Sequence, residues 1–423
     1  MKPILEELHW RGLIHQSTDQ RELGVQLSKP TVVYAGFDPT ADSLHVGSLL
    51  PLMMLRRFQQ AGHRPVALVG GATGMVGDPS GKTDERQLLS KEALVENVAG
   101  IRAQLGHFLD FNGPNAAVLV NNLDWMQGFS FLDFLRDVGK NFPINVMLTK
   151  DSVKSRLERT DSGLSYTEFS YMLLQAYDFV HLAKNHDCIL QIGGSDQWGN
   201  ITAGIDLGRR MLSRTLFGLT CPLLTTSDGK KMGKTEKGAV WLSAKRTSPF
   251  EFYQYFINVA DADVLMTLRF LSDVSQSEYT ELEVQVKEKP QERAAQTRLA
   301  ESLTRLVHGQ SKLDSAQHAT TLLFGADISQ LTQDQLNTIF EDVPSQEVPR
   351  SRLAEGIGII DALCTAGLAN SKSEARRTVT EGAAYLNNQK VTAFDRTLSE
   401  ADLAGKYLIL RAGKKRYGLL RFV

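Results

Sequence analysis

Short apolar runs alternate with helical patterns over the first half of the chain. The strand-length runs end in glycine or polar residues and are TVVYAGF (31–37), PVALVGG (65–71), AAVLVNN (116–122) and DCILQIGG (187–194). Helical patterns separate them, one ending at Gly62 and one beginning after Ser90, a residue type suited to helix capping. In the second helix, apolar residues recur at spacings of four and three, at Leu94, Val98, Ile101, Leu105 and Phe108. The alternation predicts an α/β fold with a Rossmann-like parallel sheet covered by helices.

The pattern also divides the chain into regions. We expect a Rossmann-like domain over residues 1–230, interrupted at about 123–165 by an apolar helical insertion that suits a subunit contact. Residues 231–325 begin with a lysine-containing loop and continue as a helical domain. The polar stretch 326–350 contains two prolines and suits a linker. Residues 351–423 then form a small α+β domain.

Charge is unevenly distributed, although the chain of 423 residues has a formal net charge of −1. Residues 351–423 carry 12 Lys and Arg against 7 Asp and Glu. This excess favours contact of the C-terminal region with a polyanion, and a solvated basic surface is the alternative.

The cysteine positions and the hydropathy argue against a disulfide-rich, secreted or membrane-spanning protein. Cys188, Cys221 and Cys364 lie far apart and form no CxxC pair. We therefore expect no zinc site and no disulfide framework, and a reducing cytoplasm suits the chain. The sequence shows no dedicated group of carboxylates for another metal, so we expect no protein-bound metal. The N-terminal stretch lacks the apolar core of a signal peptide, and no apolar run is long enough for a membrane span.

Polar and glycine-rich residues cluster where the predicted strands end. The strand ends are YAGFD, VGGATG and QIGGSD. In open parallel sheets, ligands bind beyond the carboxyl ends of the strands. We therefore expect a binding site at this edge of the sheet.

The stretch DPTADSLHVGS (38–48) follows the first strand and leads into a helix. The free N–H groups of a helix N-terminus attract anions, and His45 can donate to a phosphate. Gly47 has no Cβ and allows a flat nucleoside to approach the backbone. Taken alone, the His-x-Gly pattern is also typical of simple helix capping.

The stretch KKMGKTEKGAVWL (230–242) places two lysines around a glycine in a short polar loop. Lys231 and Lys234, followed by Thr235, can surround a triphosphate and match its charge. An exposed basic turn is the alternative interpretation of this loop by itself.

The helical stretch SYTEFSYMLLQAYDF (165–179) carries a polar stripe on an otherwise apolar helix. Tyr171, Gln175 and Asp178 share one face because they are spaced i, i+4 and i+7. Buried polar groups need partners, which are either a bound ligand or one another. The following LQIGGSDQWGNI (190–201) brings Asp196 and Gln197 to a strand end.

In order and context, the histidine and lysine motifs resemble the HIGH and KMSKS signatures of class I aminoacyl-tRNA synthetases. With GGSDQWGNI, YAGFDPT (34–40) and VGGATGMVGDPSGK (69–82), the chain closely resembles bacterial tyrosyl-tRNA synthetases from about residue 30 to 260. The segment LANSKSEARRTVTEGAAYLNNQKV (368–391) resembles an S4-type RNA-binding domain. The chain departs from the family at Ser48, where histidine or asparagine is usual.

The resemblance implies a site for L-tyrosine. Tyr34 and Asp178 would hold the phenol, and phenylalanine would leave both groups without a partner. Asp78, Tyr171 and Gln175 would bind the ammonium group. The other implied contacts are Gln197 near the substrate carboxylate, Asp38 near the adenylate and Gly36, which allows close approach. Turn formation before proline is the alternative role of Asp38 and Asp78.

The resemblance further implies two chemical steps with ATP, accompanied by Mg²⁺. Tyrosine attacks the α-phosphorus and expels pyrophosphate, and the tyrosyl group then passes to the 3′ end of tRNA(Tyr). The implied ATP contacts are Thr40 and His45 at the γ-phosphate, Gly47, Ser48, Gly194 and Asp196 at the nucleoside, and Lys231, Lys234 and Thr235 at the pyrophosphate. Lys82 and Arg86 would add positive charge or belong to a solvated surface.

For tRNA, the resemblance implies a cytoplasmic homodimer, with the contact at about 123–165 and an anticodon-side domain at 231–325. The implied phosphate contacts are Lys372, Arg376, Arg377, Arg411, Lys414, Lys415 and Arg416.

Three other functions are weighed against this one. A tryptophanyl-tRNA synthetase shares the architecture, but the polar pair Tyr34 and Asp178 argues against it. A cytidylyltransferase-like enzyme shares the His-x-Gly signature and would not need the C-terminal domain. An inactive relative that only binds RNA would not need the lysine loop, although Ser48 and Ala35 favour it mildly.

Overall fold

The structure is a computed structural model that describes residues 3–80, 89–150, 153–154, 157, 164–235, 238–324, 328, 331–413 and 416–423. The chain divides into two compact units. The first comprises residues 1–243 and 259–299, and the second comprises residues 244–258 and 300–423. The helical region predicted at 231–325 contributes residues to both units.

The first unit is built on a six-stranded sheet in the order β1-β6-β5-β2-β3-β4. All neighbours in it are parallel except β1 and β6. The strands are Gln16–Ser17 (β1), Val32–Phe37 (β2), Arg64–Val69 (β3), Val118–Asn121 (β4), Cys188–Gly194 (β5) and Phe217–Cys221 (β6). Four of them confirm the predicted strands, while β1 and β6 were not predicted.

Helices cover this sheet. They are Ile4–Arg11 (α1), Gln20–Gln26 (α2), Leu49–Gln60 (α3), Thr73–Val76 (α4), Lys91–Leu105 (α5), Leu123–Met126 (α6), Phe131–Asp137 (α7), Ile144–Leu148 (α8), Tyr166–Asn185 (α9) and Trp198–Leu212 (α10). Ser90 caps α5 as predicted, because its hydroxyl accepts from the N–H of Ala93 at 3.2 Å. The apolar face predicted for α5 is buried at Leu94, Ile101 and Leu105.

The strand order reverses next to β2, because β3 and β4 extend from one side of it and β5 and β6 from the other. Parallel sheets of this kind leave a crevice at the carboxyl ends of the strands where the order reverses. The strands themselves are buried on both faces, as at Val33, Val66 and Leu190, which are 0% exposed. The sheet therefore supplies a rigid base for groups at its edge.

After the sheet, the first unit continues with a small hairpin of strands Lys234–Thr235 (β7) and Gly238–Ala239 (β8). Further helices follow along the chain. They are Pro249–Ile257 (α11), Asp261–Leu271 (α12), Gln276–Glu288 (α13), Ala294–His308 (α14) and Gln310–Leu323 (α15). Of these, α12 and α13 belong to the first unit and α11 and α15 to the second.

The second unit contains a five-stranded sheet in the order β11-β10-β12-β13-β9. Its elements are Gln333–Phe340 (α16), Gln346–Val348 (β9), Ser351–Ala354 (α17), Ile359–Thr365 (α18), Lys372–Thr380 (α19), Ala384–Leu386 (β10), Gln389–Lys390 (β11), Tyr407–Ala412 (β12) and Arg416–Phe422 (β13). Because β9 pairs in parallel with β13, residues 346–348 are part of this sheet. The linker predicted at 326–350 is thus corrected: it contains a helix and a sheet strand.

Within the part of the chain that is described, no helix combines the length and apolar character that crossing a bilayer requires.

Candidate active site

A cleft of about 340 Å³ opens at the carboxyl ends of the parallel strands. Its volume is within the range of small-molecule sites. Most of the residues predicted for tyrosine and ATP line it. They are Tyr34, Gly36, Asp38, Thr40, His45, Gly47, Ser48, Asp78, Tyr171, Gln175, Asp178, Gly194, Asp196, Gln197, Lys231 and Lys234. The structure thus brings together motifs that are separated by up to 200 positions in the sequence.

Asp178 lies at the inner end of the cleft, and both oxygens of its carboxyl group accept hydrogen bonds. Asn122 donates to Oδ2 at 3.0 Å and the Trp125 indole donates to Oδ1 at 2.9 Å. Burial raises the pKa of Asp178 to about 8, although the two hydrogen bonds act in the opposite direction. The carboxyl group is therefore fixed in orientation by neighbours on a different segment of chain.

Tyr34 lies beside it with only 1% of its surface exposed, and its ring packs edge-on against Phe179 at 5.2 Å. Its hydroxyl has no hydrogen-bond partner among the described residues. Burial, reinforced by the negative charge of Asp178, raises the pKa of the Tyr34 phenol well above its usual value. Tyr34 and Asp178 are thus not bonded to each other, and the Tyr34 hydroxyl is left to a ligand.

Gln191 on β5 was not predicted, although it stands next to Tyr34 on β2 in the strand register. It is 2% exposed, and its Oε1 likewise has no partner among the described residues. Two adjacent buried polar groups in one cleft, both unsatisfied, indicate a site for a polar molecule.

A chain of hydrogen bonds extends from Asp178 toward the mouth of the cleft. Asn122, which donates to Asp178, also donates to the hydroxyl of Thr73 at 3.1 Å. Thr73 donates to Asp38 Oδ1 at 2.7 Å, and the Tyr171 hydroxyl donates to Asp38 Oδ2 at 2.8 Å. The geometry groups Asp38 with Tyr171, a residue predicted for the substrate ammonium.

A second network joins the other predicted amino-acid contacts. Gln197 Nε2 donates to Asp78 Oδ2 at 2.7 Å, and Gln175 Nε2 donates to Gln197 Oε1 at 3.2 Å. Asn200 donates to Gln175 Oε1 at 3.1 Å. The polar face of α9 is therefore bonded in part to other side chains of the protein, which was the alternative interpretation. Asp38 and Asp78 both line the cleft and bring two carboxyl groups to it.

Asp196, just after the end of β5, is half-buried and lies near one negative side chain, Asp78, and one positive side chain, Lys231. Burial and the neighbouring Asp78 raise the pKa of Asp196, and Lys231 opposes them. The proximity of Lys231 links the lysine loop to the strand ends.

His45 caps the short helical turn Val46–Ser48, and its Nδ1 accepts from the N–H of Gly47 at 3.0 Å. A neutral ring in this arrangement carries its proton on Nε2, from which it can donate.

Helix α5 holds the segment 38–48 in place through two side-chain hydrogen bonds. Asn97 donates to the carbonyl of Pro39 at 2.9 Å, and Gln104 accepts from the N–H of Leu44 at 2.8 Å.

The lysine loop is docked against the histidine motif by backbone hydrogen bonds. Val46 N donates to Val240 O at 2.9 Å, and Leu242 N donates to Leu44 O at 2.8 Å. Gly233 has a φ of +86°, and a Cβ at this position would lie 2.7 Å from the Cβ of Val46. Only glycine therefore allows this approach of the two motifs.

Of the other residues predicted at the phosphates, Thr235 is described and does not line the cleft. Thr235 is exposed on β7, and its hydroxyl donates to the carbonyl of Gly238 at 3.1 Å. Lys82 and Arg86 lie outside the described residues. No group of three or more His, Cys, Asp or Glu side chains suited to hold a metal occurs in the described ranges.

The residues predicted for tRNA lie in the second unit. Lys372 is exposed and pairs with Asp361 at 2.7 Å, and exposed Arg376 lies 5.1 Å from the ring of Phe394. Arg411 is half-buried, and its guanidinium lies 4.2 Å from the centre of the Tyr385 ring. Of the others, Arg377 and Arg416 are exposed, and Lys414 and Lys415 lie outside the described residues.

A family profile described as "tRNA synthetases class I (W and Y)" matches residues 26–325, and one described as "Tyrosine--tRNA ligase SYY-like C-terminal domain" matches residues 335–420. The tyrosine–tRNA ligase of Rhodopirellula baltica is 60% identical over 99% of this chain and 96% of its own length. That of Roseiflexus castenholzii is 51% identical over 100% of both chains. The chain belongs to the tyrosine–tRNA ligase family.

Solved structures agree with this family. A C-terminally truncated mitochondrial tyrosyl-tRNA synthetase from Aspergillus nidulans superposes with a TM-score of 0.69 at 34% identity. The match covers 77% of this chain and 95% of the fungal one. Fold class and family are therefore confirmed, and the tryptophanyl and cytidylyltransferase alternatives are set aside.

Sequence reasoning missed Gln191 and Thr73, which line this ligase-type cleft, and Asn122 and Trp125, which donate hydrogen bonds to Asp178. Asn122 follows the strand AAVLVNN, so the rule that used the other strand ends also covers it. Gln191 is polar in the middle of the buried run CILQIGG. A buried polar residue in a continuous apolar strand is itself a signal of a binding site.

Proposed function

We propose that this protein activates L-tyrosine with ATP and transfers the tyrosyl group to the 3′ end of tRNA(Tyr). One observation carries the proposal: the Tyr34 hydroxyl, which has no partner among the described residues, and the fixed carboxyl group of Asp178 share a cleft with the lysine loop. The cleft therefore offers a phenol-binding end and a phosphate-binding end on one sheet.

At the inner end, the phenol of tyrosine donates to Asp178 and accepts from Tyr34. Asn122 and Trp125 hold the carboxyl group in place, so no reorganisation is needed when tyrosine binds. Phenylalanine would fill the same space and leave both polar groups unsatisfied, at a cost of about 1–3 kcal/mol for each. The proposed selectivity for tyrosine rests on this difference.

At the middle of the cleft, Asp78 and Asp38 offset the charge of the substrate ammonium. Tyr171 and Gln175 contribute polar atoms from one face of α9, and their hydrogen bonds to Asp38 and Gln197 keep them in position. Gln197, at the end of the strand, faces the substrate carboxylate. The carboxylate is then directed toward the lysine loop.

In the activation step, a carboxylate oxygen of tyrosine forms a bond to the α-phosphorus, and the bond to the pyrophosphate oxygen breaks. The nucleophile is already ionised, so no general base is needed. His45 and Thr40 contact the distal phosphates, and Lys231 and Lys234 stabilise the charge on the leaving pyrophosphate. Mg²⁺ enters with ATP as part of the substrate.

Around the nucleoside, Asp196 accepts from the ribose, while the backbone at Gly36, Gly47 and Gly194 allows close approach. Ser48 supplies a hydroxyl next to the histidine motif. Thr235, Lys82 and Arg86 are proposed only as auxiliary groups at the phosphates, on the strength of the family resemblance.

The second unit is proposed to bind tRNA through an S4-like domain, with Lys372, Arg376, Arg377 and Arg416 as phosphate contacts. Lys414, Lys415 and Arg411 complete the predicted set. Affinity from such contacts falls as salt is raised, because bound counterions are released. The site works in the cytoplasm, where tRNA is charged.

We also propose a homodimer that uses the insertion at 123–165. Large apolar side chains there are exposed, including Phe131 at 65%, Leu132 at 74% and Ile144 at 58%. A group of this kind on a surface marks an interaction site. Light scattering in solution tests the proposal, and a monomer at micromolar concentration would contradict it.

Tyrosine-dependent exchange of pyrophosphate into ATP, followed by charging of tRNA(Tyr), tests the main activity. We expect exchange with tyrosine and almost none with phenylalanine or tryptophan. Absence of exchange with tyrosine in the presence of Mg²⁺ would refute the proposal.

A further inference from the structure

We propose that helix α12 is the positioning element of the lysine loop, and that Asp263 is the residue through which it acts. The inference rests on the proposed function, since the loop matters only if it binds the phosphates of ATP. Asp263 is not a catalytic residue in this account, because it contacts the loop and not the cleft.

The first contact is between Asp263 and the base of the loop. Asp263 is 5% exposed, and its Oδ1 accepts from the backbone N–H of Ser227 at 2.7 Å. A buried carboxylate that accepts from a backbone N–H makes a short and strong hydrogen bond. Ser227 lies in the turn that Thr226 closes by donating from its N–H to Lys230 O at 2.8 Å. The bond therefore fixes the turn that immediately precedes Lys231.

The second contact lies one helical turn further on and reaches the loop at Met232. The hydroxyl of Thr267 lies 3.7 Å from the sulfur of Met232 and also donates to Asp263 O at 2.8 Å. Thr267 is 0% exposed and Met232 is 4% exposed. Residues 263 and 267 share a face of α12 because they are spaced i, i+4. The same face thus holds the loop on both sides of Lys231.

The third contact is at the other end of the helix and involves α3, which follows the histidine motif. Arg57 is 5% exposed and donates to the carbonyl of Ser272 at 2.9 Å. A second arginine, Arg11 on α1, donates to the carbonyls of Arg269 and Val274, each at 2.8 Å. Cations at a helix C-terminus bind the carbonyl groups that have no partner within the helix.

Taken together, α12 is bonded to the lysine loop near its start and to the helix of the histidine motif at its end. The distance between Lys231 and His45 then depends on this helix as well as on the direct pairing of the two motifs. Transition-state stabilisation by charge is sensitive to misplacement of about 1 Å. Loss of the Asp263 contact should therefore lower the rate of activation without changing the tyrosine end of the cleft.

The test compares Asp263→Ala with Asp263→Asn and with a control in the same helix, Asp261→Ala. Asp261 accepts from Gln296 at 2.6 Å, so its removal also costs a hydrogen bond in α12 but does not affect the loop. For Asp263→Ala we expect kcat of pyrophosphate exchange to fall roughly 10- to 100-fold, with KM for tyrosine changed less than about twofold. Asp263→Asn keeps an oxygen acceptor and should recover most of the rate, and Asp261→Ala should match the wild type.

A double-mutant comparison with Lys231→Ala separates positioning from general destabilisation. If Asp263 acts through the loop, Lys231→Ala should cost much less in the Asp263→Ala background than in the wild type. Thr267→Val gives a second and milder variant, with a fall in kcat of about threefold to tenfold, and it carries the test if Asp263→Ala does not fold.

Additive effects, a wild-type rate for both Asp263→Ala and Thr267→Val, or equal loss in Asp261→Ala would overturn the inference. Absence of exchange in the wild-type protein would instead refute the proposed function, so the two failures are distinguishable.

Discussion

The two ends of the cleft are built differently. At the phenol end, Tyr34 and Asp178 are buried on a strand and a helix, and Asp178 accepts hydrogen bonds from Asn122 and Trp125 at the start of α6. At the phosphate end, Lys231 and Lys234 are exposed on a loop that backbone hydrogen bonds dock against the histidine motif. The first end is fixed by side-chain networks and burial, and the second by backbone pairing and close approach.

This difference indicates that the two ends of the cleft have different roles, one in selecting the amino acid and the other in stabilising charge. Selection of an amino acid requires polar groups that stay in place and are costly to leave unpaired, and burial provides both. Stabilisation of charge on a departing pyrophosphate requires cations that substrate can reach and products can leave. Variants at the phenol end should therefore change specificity, and variants at the phosphate end should change rate.

The largest effect is expected from Lys231→Ala, which removes a cation from the phosphate end. We expect kcat of tyrosine-dependent pyrophosphate exchange to fall roughly 10²- to 10³-fold, because charge stabilisation is the main catalytic contribution there. KM for tyrosine, measured in the same assay, should change less than about twofold. A large rise in that KM with an unchanged kcat would show that the two ends are not separate.

Asp178→Asn tests the phenol end. It replaces the carboxyl group with an amide, and we expect kcat/KM for tyrosine to fall roughly 10- to 100-fold, as for a buried polar group left without its hydrogen-bond partner. The value for phenylalanine should change little, so discrimination between the two amino acids should shrink. Steady-state pyrophosphate exchange with each amino acid measures this discrimination. An equal fall in kcat/KM for both would contradict the role of Asp178 in binding the phenol.

Gly233→Ala tests the docking of the two motifs. The added Cβ would meet Val46 and would also occupy a left-handed conformation, at a cost of about 1–2 kcal/mol for the backbone alone. We expect kcat to fall about tenfold.

The matched control for this variant is Gly229→Ala in the turn that precedes the loop. Gly229 has a φ of +80°, and a Cβ there would meet no atom of the described residues within 4 Å. If both variants lose the same activity, backbone strain and not the contact with Val46 is the cause.

The smallest effect concerns stability and pH. The pKa of Asp178 is raised to about 8 by burial, above the value of about 3.9 for an unfolded chain. Between these values the folded protein keeps a proton that the unfolded chain has lost, so stability from this group declines as pH rises toward 8. The Tm of the wild type should fall about 3 °C more than that of Asp178→Asn between pH 5 and pH 8, as measured by scanning fluorimetry. Parallel declines would show that Asp178 is ionised throughout.

The sequence was sufficient for the main sheet and for the edge where the site lies. Apolar runs with polar ends located β2 to β5, and the rule for parallel sheets then placed Asp38 and Asp196 at one edge. Strands β1 and β6 were not predicted from the apolar pattern. β1 has only two residues, and the apolar run of β6 is interrupted by a glycine and a threonine. The linker prediction failed because β9 is a polar three-residue strand whose partner, β13, is distant in sequence.

Partner choice within the site was less predictable. The spacing on α9 placed Asp178 on a polar face of the helix, but its bonds to Asn122 and Trp125 span more than 50 positions. No local pattern reports such pairs, since they depend on how strands and helices pack. The close approach of Gly233 to Val46 likewise appears only when both motifs are folded.

A crystal structure of the protein with a non-hydrolysable analogue of tyrosyl-adenylate would show directly whether one cleft binds the phenol at one end and the phosphate at the other. We expect the phenol oxygen within hydrogen-bond distance of both Tyr34 and Asp178, and the phosphate mimic between His45 and Lys231. An analogue bound outside this cleft, or with its adenine at the Tyr34 end, would contradict it.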